Sequence, residues 1–301
     1  MSRKSLILCL SLLAVLIIGT VVAVAFLYKG TGTDGERKTS KIASEERFSL
    51  LAAVPSDAVL VAGFSDKGPQ NGPMAVSMHY SGKLLPLYVY DAGIPTETGE
   101  PSEEAMSIVR TLEEKGLVVR FVSSGREMVL ASQSEVLVQS AIRHITKSMS
   151  VMDAPGFADA CGIVSGDDFL IISNEHASYL MPAVFTRKYS SYSGFVSRQS
   201  EWTAFDISQE GSLFSLDGSV VYDSDASEFM TVLQNSEPSL SSVSGILPSY
   251  TVFAASLPVG SLEDYIDAYD AFLDSRQSLQ KNNAERKALA SKAGMSPQEF
   301  L

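Results

Sequence analysis

The chain has 301 residues, of which 45% are hydrophobic and 19% charged, and its formal net charge is −12. This composition is typical of a folded protein and excludes a disordered chain. The acidic balance argues against nucleic acid or an anionic membrane surface as a partner, because phosphate contacts need clustered Lys and Arg side chains.

The chain begins with an uncharged apolar run at residues 5–28, preceded by Arg3 and Lys4. This run is long enough to cross a bilayer as one helix, which takes roughly 20 apolar residues. It also exceeds the roughly 7–15-residue apolar core of a signal peptide, so we expect an uncleaved signal-anchor. The pattern Ala23-Val24-Ala25 keeps the alternative of a cleaved signal peptide open, since small residues at this spacing are typical of cleavage sites.

Basic residues lie on both sides of this run, so charge alone does not fix its orientation. Long domains are translocated largely regardless of charge, and an N-terminal helix before a large domain is the usual layout of a signal-anchor. We therefore expect residues 1–4 in the cytoplasm and a single span, 5–28, in the inner (cytoplasmic) membrane. A flexible Gly/Thr/Ser-rich linker, 29–46, then leads to a periplasmic or extracellular domain.

Cysteine use is sparse, because Cys161 is the only cysteine outside the apolar run. The external domain therefore has no internal disulfide, and its stability must come from an ordinary core. The chain also has no N-x-[ST] glycosylation sequence. Both features favour the envelope of a bacterium over secretion from a eukaryote.

Strand and helix patterns alternate after the linker and predict an α+β fold, with helices packed on a mixed, mainly antiparallel sheet. Strands are predicted at 58–64 and 83–90, where Pro86 favours an edge or a bulge. Ser102 begins a helix that ends at Gly116. A hairpin at 117–122 and 127–131 precedes a helix opened by a capping box at Ser132 and Glu135.

The following segment repeats this alternation. A strand at 168–173 leads to a helix that we expect Asn174 to cap, and a second hairpin joins 202–207 to 213–222. Asp225 begins a short helix. Ser261 caps an amphipathic helix whose pattern continues weakly toward Gly294.

An internal duplication is suggested by residues 54–64, which align without gaps to residues 247–257. Chance similarity between two apolar strands, each preceded by a turn proline, is the alternative. The duplication predicts a first repeat over 47–246 and the start of a second over 247–301. A helix start at 296–299, only two residues before Leu301, leads us to expect a truncated chain.

Residues 129–142 and 148–157 resemble an uncharacterised bacterial family of membrane-anchored extracytoplasmic proteins with repeated strand–helix units. In that family each unit opens with a strand led by proline. The resemblance implies the envelope location and the repeated architecture. It implies no activity and no catalytic residues.

Catalytic motifs are scarce in this sequence. The histidines are His79, His144 and His176, and none has the spacing of a metal site, so no metal or cofactor is expected. Glu175 and His176 follow a strand and form the best acid/base pair. Asp167 and Asp168 precede the same strand and therefore lie at its opposite end.

We therefore expect a membrane-tethered binding or scaffolding protein of the bacterial cell envelope, with another envelope protein as its partner. One alternative is a hydrolase-like enzyme whose site is assembled around Glu175 and His176. Another is a carrier of an apolar ligand. A polar cleft at His176 would favour the enzyme, a large apolar cavity the carrier, and an exposed Tyr/Phe patch near 189–195 the binding protein.

Overall fold

A computed structural model describes residues 48–69, 72–96, 100–147, 149–184, 193–210, 213–222, 227–234, 248 and 261–294. These residues belong to two compact units. The larger unit contains the described residues of Ser11–Ser197 and Glu201–Val221, and the smaller one contains those of Arg198–Ser200 and Tyr222–Leu301.

The larger unit is built on an eight-stranded sheet with the order β4-β5-β3-β2-β1-β6-β7-β8. Every neighbouring pair is antiparallel. The strands are β1 (Leu60–Phe64), β2 (Met74–Tyr80), β3 (Leu84–Gly93), β4 (Val118–Ser123), β5 (Glu127–Ser132), β6 (Phe169–Ser173), β7 (Trp202–Glu210) and β8 (Leu213–Val221).

Helices lie on both faces of this sheet. The 3₁₀-helices η1 (Ser49–Ala53) and η2 (Val151–Asp153) cover one face together with α2 (Glu135–Lys147) and α3 (Phe157–Ile163). The other face is packed by α1 (Glu103–Glu114), which buries Ala105, Ile108 and Leu112 against β2 to β5. The helix α4 (Ala177–Val184) contacts β3, and the short α5 (Ser193–Val196) contacts α4. The sheet therefore has core residues on both faces.

The predicted α+β class with helices packed on a sheet is confirmed by this architecture. The sheet was predicted to be mixed and mainly antiparallel, and its seven strand pairs are all antiparallel. The apolar run at 5–28, the linker and the proposed repeat boundary after residue 246 all lie outside the described residues. So does the helix start predicted at 296–299.

The first helix begins and ends where the local sequence predicts. Ser102 Oγ accepts a hydrogen bond from Ala105 N at 3.1 Å. Gly116, just beyond the helix, has φ +76°, a left-handed conformation that glycine adopts without steric cost. Capping depends on a few neighbouring residues, which is why the sequence alone placed this helix correctly.

Ser102→Ala will lower the free energy of unfolding by about 1 kcal/mol, because Ala105 N loses its side-chain acceptor. Ser107→Ala on the exposed surface of α1 serves as the control. It will leave stability unchanged or raise it slightly, since alanine favours the helix. Urea unfolding followed by the fluorescence of Trp202, the only tryptophan, measures both variants. Equal losses for the two would contradict the capping role.

One predicted cap is wrong. Ser134, and not Ser132, caps α2, because Ser134 Oγ accepts from Leu137 N at 3.3 Å. Ser132 closes β5 instead and donates to Pro86 O at 2.7 Å. The Asn174 side-chain amide donates to Thr203 Oγ1 at 2.9 Å, which ties the end of β6 to β7. At Ser132, a partner on another strand competes for the predicted capping side chain.

Pro86 does not mark an edge strand, because β3 lies between β2 and β5. The pairing of β3 with β5 ends at Leu87 and Ser132, so Pro86 lies just beyond it and its missing N–H breaks no pair there. The register shift in β3 occurs at Asp91 and Gly93 instead.

The smaller unit contains a 3₁₀-helix and two helices: η3 (Phe229–Leu233), α6 (Leu262–Ser275) and α7 (Leu279–Ala293). Rings of Phe229, Tyr269 and Phe272 contact one another between η3 and α6. Ser261 caps α6 as predicted, through Asp264 N. The weak continuation toward Gly294 is a separate helix, because Gln277 has φ 54° and interrupts the pattern.

Candidate functional site

Three stacked rings lie at the surface of the larger unit, and we call them the aromatic stack: Tyr80, Tyr179 and His176. The Tyr80 and Tyr179 rings are 4.6 Å apart and nearly parallel, with an interplanar angle of 11°. His176 stacks on Tyr179 at 5.9 Å. Tyr80 is 45% exposed and Tyr179 39%, so the stack presents aromatic surface to solvent.

Elements distant in sequence position this stack. Tyr80 is the last residue of β2. His176 directly precedes α4, and Tyr179 lies in the first turn of that helix. The His176 ring is oriented by a 2.9 Å hydrogen bond between Nδ1 and Ser173 Oγ at the end of β6. The rings are thus held by a strand end and a helix start, which is a rigid arrangement for recognition.

The predicted acid/base pair is only partly brought into this site. His176 belongs to the aromatic stack, but Glu175 beside it is exposed and makes no hydrogen bond or ion pair with other described residues. Ser173, which bonds His176, is only 2% exposed. The imidazole of His176 therefore lies next to the Ser173 hydroxyl, but that hydroxyl is almost inaccessible to solvent.

Asp167 and Asp168 lie at the other end of β6, as predicted. Asp168 Oδ1 accepts from Ser65 N at 3.0 Å and from Ser65 Oγ at 3.1 Å. Burial, the largest influence, raises the pKa of Asp168 above its usual value, although the bonds from Ser65 act against it. Asp167 lines a small pocket there with Phe64 and Pro73. These carboxylates do not join the aromatic stack.

A second polar cluster escaped sequence reasoning and has the connectivity of a catalytic triad. His79 Nε2 lies 2.8 Å from Ser77 Oγ, and His79 Nδ1 lies 2.9 Å from Asp57 Oδ1. With the proton on Nδ1, the imidazole donates to Asp57 and accepts from Ser77. The alternation of β2 puts Ser77 and His79 on one face, and this spacing was the available sequence signal.

This cluster is structural in the geometry observed. Ser77 is 0% exposed and His79 3%, whereas a nucleophile must meet its substrate. Both side chains lie on the sheet face that η1 and α2 cover, where an unpaired polar group is costly. The network satisfies them and fixes the turn at Asp57 before β1.

The carboxyl group of this cluster, Asp57, has a shifted pKa. The hydrogen bond from His79 is the largest influence on Asp57 and lowers its pKa below the ordinary 3.8. Burial acts in the opposite direction, and the charges of His79 and His144 lower the pKa further. The carboxylate form therefore favours the folded state at neutral pH.

Asp57→Asn will be less stable than wild type at pH 7, and this difference will shrink as the pH falls below 3.8. The sign follows from linkage: a depressed pKa gives stability above the unfolded pKa, and that stability is lost as pH falls through the folded pKa. Urea unfolding at pH 7 and pH 3 measures it. Exposed Asp159→Asn is the control for replacing a carboxylate by an amide. A constant difference for Asp57→Asn would contradict the argument.

Within the described ranges, no group of three or more His, Cys, Asp or Glu side chains could hold a metal ion. Nor does any helix of that part of the chain have the length and apolar character to cross a membrane. Comparison with family models, curated proteins and solved structures gave no match. The resemblance to the membrane-anchored bacterial family therefore stays a prediction.

Proposed function

We propose that this protein is a membrane-tethered binding or scaffolding protein of the bacterial cell envelope, with its folded domain outside the cytoplasm. The tether is the apolar run at residues 5–28. The partner is another envelope protein, and the chain performs no catalysis of its own in this proposal.

The exposed aromatic stack is the observation that supports binding. Tyr residues are enriched at protein interfaces because a rigid ring offers large contact area at low entropic cost, and its hydroxyl still bonds water or a partner. Here two such rings are ordered by stacking before any partner arrives. Preorganisation of this kind lowers the entropic cost of association.

The alternatives have less support from the described residues. Covalent catalysis around Glu175 and His176 would need a reachable nucleophile, and Ser173 is almost fully buried. The pocket beside Asp167 is small and partly polar, so this pocket is not the large apolar cavity that a carrier would need. The predicted Tyr/Phe patch at 189–195 lies mostly outside the described residues.

Site-specific crosslinking tests the proposal. A photoreactive amino acid replaces Tyr179 in the full-length protein in its own membranes, and Met106, which is 37% exposed on α1, provides the control position. We expect a discrete crosslinked species from Tyr179 and none from Met106. Equal products from both positions, or none from either, would contradict a binding role for the stack.

The tether has a separate test. Deletion of residues 5–28 is expected to release the protein from the membrane fraction, because no other long apolar run occurs in the sequence. Protease added to intact spheroplasts is expected to digest the domain of the full-length protein. A domain protected until the cells are lysed would place it in the cytoplasm and overturn the proposed orientation.

A further inference from the structure

The two edges of the sheet differ in how they are protected. At the β4 edge, Arg120 Nη1 donates to Val119 O at 2.8 Å, and its Nη2 lies 3.3 Å from Glu135 Oε1. The Arg120 side chain is thus hydrogen-bonded to a main-chain carbonyl of this strand. Charged side chains on edge strands are a common protection against unwanted strand pairing.

The β8 edge has no basic side chain of this kind. This strand pairs with β7 along all nine of its residues without a register shift, and it contains no proline, lysine or arginine. Phe214, Ser215, Asp217, Gly218 and Ser219 are all exposed. Among the described residues, none bonds the outer side of β8. A long, regular and exposed edge of this kind is suited to accept a further strand.

The charge on β8 restricts what can pair with it. Asp217 lies at the centre of the strand and directly opposite Asp206 of β7. The Asp206 carboxylate accepts hydrogen bonds from Ser165 N and Gly166 N, whereas the exposed Asp217 carboxylate has no hydrogen bond or ion pair with other described residues. Like charges on directly opposed residues are destabilising, so a cationic side chain beside Asp217 would reduce the repulsion between Asp217 and Asp206.

The same charge argues against a second copy as the occupant. Two β8 strands paired antiparallel about their centres would place Asp217 opposite Asp217, next to the two Asp206 residues. The net charge of −12 on each chain adds to this repulsion. The complementary strand is therefore a basic one from a different molecule.

The opposite face of β8 determines which peptide side chains fit at the positions next to the Lys or Arg. Leu216 and Val220 flank Gly218, which has no side chain and pairs across the ladder with Phe205. An apolar side chain opposite Gly218 would pack on these neighbours. We propose that β8 binds an extended peptide as an added antiparallel strand, with Lys or Arg opposite Asp217 and apolar residues at the adjoining positions. This inference rests on the proposed binding function and names the class of partner.

The test uses the full-length protein in detergent and a labelled synthetic peptide of sequence TVTFRVTVT with blocked ends. Its central Arg faces Asp217 and its Phe faces Gly218 in antiparallel register. We expect binding by fluorescence anisotropy and slower amide exchange within residues 213–221. Asp217→Lys will weaken binding about tenfold, as a cross-strand attraction becomes a repulsion. The peptide with Glu in place of Arg will show the reverse preference.

Backbone pairing is tested separately by N-methylation of alternate peptide residues, which removes the N–H groups from one peptide edge. We expect one of the two alternately methylated peptides to lose binding. The proposal would be overturned by peptide binding that neither Asp217→Lys nor methylation weakens. Binding without slower amide exchange in residues 213–221 would also overturn it. A crosslink at Tyr179 together with no peptide binding would refute the β8 site and leave the proposed function standing.

Discussion

Gly63→Val will lower the free energy of unfolding by about 3 kcal/mol, the upper part of the range for overpacked cores. Gly63 in β1 lies directly opposite Phe169 in β6. A Cβ atom at Gly63 would lie 2.2 Å from Phe169 Cε1. Phe169 is 1% exposed and its ring also contacts Phe48, so it cannot move aside without disturbing the core.

Two controls separate this clash from a general cost of replacing glycine. Gly162→Ala in α3 meets nothing within 4 Å and is expected to be neutral or stabilising by about 0.5–1 kcal/mol. Phe169→Ala leaves a cavity, yet combined with Gly63→Val it will cost less than the sum of the two single changes. Urea unfolding measures all four variants, and additive losses would show that the ring is not the cause.

Glu127→Ala will destabilise the larger unit by about 2–3 kcal/mol, because two main-chain donors lose their acceptor. Glu127 Oε1 accepts from Thr96 N at 3.3 Å, and Oε2 accepts from Ser102 N at 3.2 Å. The side chain is 0% exposed although it stands at the end of β5. In a capping box, a glutamate of the helix accepts from the N–H of the capping residue; here Glu127 of β5 accepts from Ser102 N instead. Its negative charge also interacts favourably with the N-terminus of α1.

The pH dependence of Glu127 follows from opposing influences. Burial is the largest and raises its pKa, but the hydrogen bonds from Ser102 and Thr96 together lower the pKa below its ordinary 4.5. Its contribution to stability is therefore present above pH 4.5 and is lost as pH falls through the folded pKa. Glu127→Gln retains one acceptor and will lose less stability at pH 7. A variant series with no difference between pH 7 and pH 3 would contradict this assignment.

Local features of the fold were predictable and long-range pairings were not. The Ser102 cap and the turn at Gly116 depend on residues within one helix, so the sequence contained the full signal. Ser132 looked equally like a cap, but its hydroxyl bonds Pro86 on the neighbouring strand. Nothing near Ser132 in the sequence identifies that partner.

The candidate site shows the same division. His176 was identified from its position after a strand, but its ring partner Tyr80 comes from β2 and could be found only once the sheet was assembled. Likewise, the i, i+2 spacing placed Ser77 and His79 on one face, whereas the approach of Asp57 depends on the turn before β1. Side chains joined across strands need the register, and one sequence does not specify that register.

The strand order also has a consequence for how the chain folds. The strands β1 to β3 form one run of consecutive neighbours and β6 to β8 another, and the two runs meet only where β1 pairs with β6. We expect the local hairpins to form early and the β1–β6 seam to close last, because joining distant segments costs more chain entropy. Pulse-labelled hydrogen exchange during refolding would report this order, and early protection at Val61 and Ile171 would refute it. During synthesis, the five strands β1 to β5 must therefore wait with an open edge at β1 until β6 has emerged.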